Sequence, residues 1–125
     1  MTSDLDDSSP ELHQDVLIVE DDPIIALGLE DTLLSLGVPR VRVAANVANA
    51  LRAIEDRAPD FALLDVGLIG ERSAAVAERL AALGIPFAFA TGYGADRVPV
   101  QFADRPRLPK PCMTDVLQAA LRRSR

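Results

Sequence analysis

Short apolar runs alternate along this chain with stretches whose apolar residues recur at helical spacing. Val16-Leu17-Ile18-Val19 and Phe61-Ala62-Leu63-Leu64 contain no polar position. Strands that do not alternate are buried on both faces, as in a parallel sheet. Val41 to Ala44 forms a weaker run, and Ile85-Pro86-Phe87-Ala88-Phe89-Ala90 a fourth, with Pro86 at its start, where a missing N–H is tolerated. Arg107-Leu108-Pro109 is a short fifth.

Between the runs, Ile24, Ile25, Leu27, Leu29, Leu33, Leu34 and Leu36 follow a helical rhythm, opened by Asp22-Pro23 and closed by Gly37. Asn46 caps a second predicted helix carrying Val47, Ala50, Leu51 and Ile54 on one face, and Ala58-Pro59 stops it. Residues 73–83 make an alanine-rich third, closed by Gly84. A last helix starts near Met113, with Val116, Leu117, Ala120 and Leu121 inward and Arg122, Arg123 and Arg125 at its dipole's negative end. Pro99 and Pro106 break residues 95–106, so the helix between the fourth and fifth strands is expected to be short or irregular. The pattern predicts a doubly wound α/β domain with a parallel sheet and right-handed crossovers.

Residues 1–14 are acidic and polar and read as a mobile tail before one domain over residues 15–125. His13, the only histidine, falls in that tail with no metal-ligating neighbour, which argues against a metal or catalytic role. The net charge of -6 disfavours nucleic acid and anionic membranes. No apolar run approaches the length of a membrane span, and the N-terminus lacks the features of a signal peptide. The single cysteine, Cys112, excludes an internal disulfide, and a cytoplasmic location is expected.

Four strands end on residues that carry chemistry: Glu20-Asp21-Asp22, Asp65, Thr91 and Lys110. One Asp after a strand is most often a turn cap. Four strand ends together point to the crevice at the carboxyl edge of an open α/β sheet. In a flavodoxin-like strand order, strands one and three are neighbours, and Glu20, Asp21 and Asp65 converge. Crowded carboxylates repel, and a hard divalent cation such as Mg²⁺ relieves the repulsion. Lys110 offers a point charge and Thr91 a hydroxyl, which together suit a phosphoryl group. Asp65 is then the acceptor, a carboxylate that forms an aspartyl phosphate.

Ile18-Val19-Glu20-Asp21-Asp22-Pro23, Leu63-Leu64-Asp65, Thr91 and Lys110-Pro111 resemble the receiver domain of two-component response regulators, from about Asp15 to Arg123. The resemblance implies a flavodoxin-like five-stranded sheet in the order 2-1-3-4-5 with helices on both faces. It implies Asp65 as phosphoacceptor and Glu20, Asp21, Asp65 and the Gly67 carbonyl as Mg²⁺ ligands. Thr91 and Lys110 would stabilise the phosphoryl group. Phe89-Ala90-Thr91-Gly92-Tyr93 is similar to the FAT GUY subgroup, many of whose members are single-domain and serve stress-response phosphorelays. Arg107 stands three positions before Lys110, where receivers often carry an aromatic, and Cys112 replaces the usual phenylalanine.

No output domain is expected, and the signal is expected to leave through a protein surface. Gly92, Tyr93, Gly94 and Arg107 are the switch candidates, with residues 92–106 expected to be mobile until phosphorylation orders them. The expected partners are a histidine kinase or phosphotransfer protein and a downstream protein, the chain being a monomer or weak dimer. No separate enzymatic turnover is expected. One alternative is a pseudo-receiver that binds protein without phosphorylation; the intact acids, Thr91 and Lys110 argue against it. The other is a phosphohydrolase, which wants a further acid near Asp65 that Val66-Gly67-Leu68 does not supply.

Overall fold

The structure is a computed structural model and describes residues 13–65, 73–91, 100–102, 104–109 and 114–121. Five strands, β1 (Asp15–Val19), β2 (Arg40–Ala44), β3 (Phe61–Asp65), β4 (Phe87–Thr91) and β5 (Arg107–Pro109), form one sheet in the order β2-β1-β3-β4-β5. All four pairings are parallel. The crossovers are α1 (Pro23–Ser35), α2 (Val47–Asp56) and α3 (Ser73–Ala82), and α4 (Thr114–Leu121) follows β5. The fold class expected from the sequence is therefore the observed one. Between β4 and β5 the described residues hold a single 3₁₀ turn, Val100–Phe102.

Every residue of β1 and β3 is buried, as expected of runs covered on both faces. Alternation sends Leu17, Val19, Ala62, Leu64, Phe87 and Phe89 to one face, where α2 and α3 cover them through Ala50, Ile54, Val76, Ala77 and Leu80. Val16, Ile18, Phe61, Leu63, Ala88, Ala90 and Leu108 point the other way, onto Leu29 and Leu33 of α1 and Leu117 and Leu121 of α4. Phe87 meets Phe89 and Phe102 edge-on at 5.6 and 5.5 Å, an arrangement aromatic quadrupoles favour.

Local chemistry sets the helix ends. Asp22 accepts hydrogen bonds from the Ile24 and Ile25 amides at 2.9 and 3.3 Å, and Pro23 opens α1. Asn46 accepts from the Asn49 amide at 2.8 Å. Gly37 and Gly84 follow their helices with φ of 103° and 72°, conformations that cost a Cβ-bearing residue energy. Asn46→Ala should lower stability by about 1 kcal/mol through the lost cap, read as a lower midpoint of urea unfolding at unchanged slope.

The amino-terminal pole of the sheet is tied by charge. Asp15, at 8% exposure, meets the Nε atoms of Arg42 and Arg57 at 3.1 and 3.2 Å and that of Arg40 at 3.9 Å. Arg42 also donates to the Ala53 and Arg57 carbonyls at 3.0 and 2.7 Å, at the end of α2, where the Ala53 carbonyl also accepts the Arg57 backbone N–H. Gln14 and Asp15 donate their amides to the Asp60 carboxylate at 2.8 and 2.9 Å, and Arg40 N–H donates to the Gln14 carbonyl. Gln14 and His13, placed in the tail by composition, are thus bonded into the domain; residues 1–12 lie outside the described residues.

Candidate functional site

The strand order reverses at β1 and β3, and that junction positions the acids. Val19 pairs with Leu64, so Glu20 and Asp65 leave the sheet side by side. Carboxylate oxygens of Glu20, Asp21 and Asp65 lie within 4.8 Å of one another. Glu20 is 3% exposed and Asp65 5%, whereas Asp21 faces solvent. Two buried acids and an open third, all hard oxygen donors, fit a divalent cation that keeps part of its hydration shell.

The three consecutive acids divide their work. Asp22 is occupied as the cap of α1, while its own amide donates to Glu20 Oε2 at 3.1 Å. That bond fixes Glu20 against the turn, and Asp21, between them, is left to join the cluster. The turn is sharp because the helix must begin within three residues of the strand's end.

Thr91 ends β4, one step beyond Ala90, which pairs with Asp65; Thr91 itself pairs with Pro109, the last residue of β5. The backbone therefore brings the end of β4 next to the acids and the end of β5 next to β4. Gly67, Gly92, Tyr93, Gly94, Lys110 and Cys112 lie outside the described residues. Arg107 opens β5 opposite Phe89 and is exposed.

One feature beside the site was not singled out from the sequence. Ile24, Leu27 and Leu34 on α1 are 80, 58 and 46% exposed, and their spacing of three and seven residues puts them on one face. The sequence did carry a signal: seven isoleucines and leucines between 24 and 36 exceed what one buried stripe accommodates. Only Ala26, Leu29 and Leu33 of α1 are buried. The exposed apolar face starts two residues after Asp22 and therefore borders the acid cluster.

Comparison with known proteins agrees with this geometry. The family model described as the response regulator receiver domain matches residues 16–122. No curated protein matches the chain. Among solved structures, that of SdrG from Sphingomonas melonis Fr1 has 49% identity and a TM-score of 0.76, over 87% of this chain and 93% of that one. The beryllofluoride-activated conformation of SdrG from Pseudomonas melonis Fr1 has 50% identity and a TM-score of 0.73, over 86 and 92%. The PhyR stress response regulator has 30% identity and a TM-score of 0.71 over 88% of this chain and 44% of its own. A five-stranded sheet in this order, an acid cluster at its switch point and a family match over nearly the whole length have one reading: the chain belongs to the response regulator receiver domain family.

Proposed function

We propose that this chain is a phosphoacceptor that takes a phosphoryl group from a phosphohistidine on a kinase or phosphotransfer protein onto Asp65. The observation that carries the reading is the convergence of Glu20, Asp21 and Asp65 at the ends of adjacent strands of a receiver fold. An Asp65 oxygen attacks phosphorus, a P–O bond forms, the P–N bond breaks, and the imidazole nitrogen keeps the electron pair and takes up a proton. Bound Mg²⁺ supplies charge neutralisation for the phosphoryl oxygens. Asp21 and Asp65 would hold it, with Glu20 acting mainly through water and Gly67 through its backbone carbonyl. Lys110 pairs with the phosphoryl oxygens, and Thr91 donates its hydroxyl to them. SdrG's activation by beryllofluoride, a phosphoryl mimic, and PhyR's description as a stress response regulator support a place in a stress-response phosphorelay.

The exposed face of α1 supports a protein donor. Ile24 and Leu27 border the acids and are themselves flanked by Asp21, Asp22 and Asp31, all exposed. The surface thus suits a partner with an apolar centre and a basic rim, and on a chain of charge -6 it disfavours a second copy. Leu27→Ser should slow labelling by a phosphohistidine protein at least about tenfold, as expected when one buried interface side chain is lost, yet leave labelling by a small phosphodonor unchanged. Equal slowing with both donors would remove α1 from the interface.

The test of the function is incubation with a panel of autophosphorylated histidine kinases, with and without Mg²⁺. Transfer of a hydroxylamine-labile label, dependent on Mg²⁺, is expected. A chain that no kinase and no small phosphodonor labels is a pseudo-receiver. Thr91→Ala should still be labelled but should lose much of its conformational response. The lost bond is one to a charged acceptor, worth about 1.5–3 kcal/mol. Its readout is the set of backbone NMR shift changes on adding beryllofluoride, Gly92, Tyr93 and Gly94 included. Wild-type shift changes in Thr91→Ala would remove the hydroxyl from the switch.

A further inference from the structure

The chain's one histidine sits at the pole of the sheet opposite the acid cluster, and phosphoacceptor chemistry gives it no task. The backbone N–H of His13 donates to the Leu121 carbonyl at 3.1 Å, closing the last turn of α4 from 108 residues away. Its ring, at 12% side-chain exposure, stacks on Phe61 with centroids 5.1 Å apart and an interplanar angle of 26°. Nδ1 stands 3.8 Å from Asp60 Oδ1. The same Asp60 carboxylate accepts the Gln14 and Asp15 amides, and the Asp60 amide donates to the Asp15 carbonyl. The start of β1, the start of β3 and the end of α4 therefore meet at His13, its ring lying against Phe61 and Asp60 and its backbone amide bonded to α4.

We propose that His13 is a pH-sensitive staple, which, when protonated, locks the entry to β1 onto the start of β3 and the end of α4, and which loosens on deprotonation. The charges around it favour the imidazolium. Asp60, just before β3, faces it. Asp15 of β1 lies beyond, its charge already met by Arg42 and Arg40 of β2 and by Arg57 after α2. Towards α4, among the described residues, the bond is that of the His13 backbone N–H to the Leu121 carbonyl, which holds the ring's own residue at the negative end of that helix. The π face of Phe61 also attracts a cation. Burial acts in the opposite direction and disfavours charge. Asp60 is 40% exposed and the His13 side chain 12%, so the partner stays open to water while most of the imidazole is covered.

The sign of the effect follows from linkage. An imidazole that gains an anionic partner on folding titrates above the free value of about 6.5. Its contribution to stability is then full below about pH 6.5 and is lost as pH rises through the folded midpoint. Each unit of upward displacement corresponds to a tenfold loss of protection across the titration.

The experiment uses the full chain, whose single imidazole gives one unambiguous NMR titration. It is run beside hydrogen-exchange protection of the α4 amides, corrected for intrinsic exchange. The expected result is a wild-type midpoint above that of free imidazole. Protection at Leu117, Ala120 and Leu121 should fall as pH rises through the midpoint. Asp60→Asn keeps an oxygen acceptor for the two amides but removes the charge, so it should lower the midpoint. His13→Gln should abolish the pH dependence of protection. A wild-type midpoint at or below the free value, an unmoved midpoint in Asp60→Asn, or flat protection across the wild-type titration would each overturn the proposal. These readouts suffice if His13→Gln fails to fold, and they are independent of phosphoacceptor chemistry.

Discussion

Asp65→Asn is expected to lose all labelling, by a phosphohistidine protein and by a small phosphodonor alike. The reason is chemical before it is structural. The carboxylate attacks phosphorus through an anionic oxygen and leaves an acyl phosphate that hydroxylamine cleaves, whereas a carboxamide oxygen is a poor nucleophile. The replacement is nearly isosteric, so the packing of β3 between β1 and β4 is retained. It also takes one negative charge out of a cluster whose oxygens lie within 4.8 Å of one another, two of the three acids being buried. The variant should still melt in one cooperative transition without Mg²⁺. Loss of labelling with an intact melting curve separates a missing nucleophile from a broken fold. Full labelling of a folded Asp65→Asn would move the acceptor to Glu20 or Asp21 and sink the assignment.

The second large effect is on stability and has two opposite signs in one variant. Mg²⁺ at 100 times its dissociation constant should stabilise the wild type by about 2.7 kcal/mol, because it binds the folded state alone. In a domain of this size that corresponds to a rise in Tm on the order of 10 °C. Asp21→Asn removes the exposed member of the cluster. It should reduce most of that gain, having lost a ligand, while raising the Tm of the metal-free protein, having lost a repulsion. In the wild type the Mg²⁺ gain should fade as pH falls into the carboxylate range, where protons compete for the same oxygens. Differential scanning calorimetry with and without Mg²⁺ measures all three. A wild-type Tm indifferent to Mg²⁺ would refute the metal site, and an Asp21→Asn protein destabilised without metal would refute the repulsion.

What was legible in the sequence was legible for local reasons. A strand covered on both faces must be apolar at every position, which marked Val16 to Val19 and Phe61 to Leu64. Helix ends must satisfy their own free backbone groups, which marked Asp22, Asn46, Gly37 and Gly84. The acids stood out because each follows directly on such a run, so the strand that carries it also places it at the sheet's carboxyl edge.

The missed features depend on neighbours remote in sequence. Seven isoleucines and leucines between 24 and 36 announce a helix, but only the sheet and α4 decide that Leu29 and Leu33 go inward while Ile24 and Leu27 stay in water beside the acids. His13 and Gln14 read as tail because their flanks are polar; their bonds are to Leu121, Asp60 and Arg40, at separations no local pattern reports. Arg42 looks like an ordinary strand arginine, yet it joins Asp15 to the end of α2. The sequence by itself determined the elements, their ends and the reactive groups at those ends, since periodicity and capping act within a few residues. Only the tertiary structure decided which side chains meet and which stay exposed, because burial and pairing belong to surfaces that exist once the strands have taken their order.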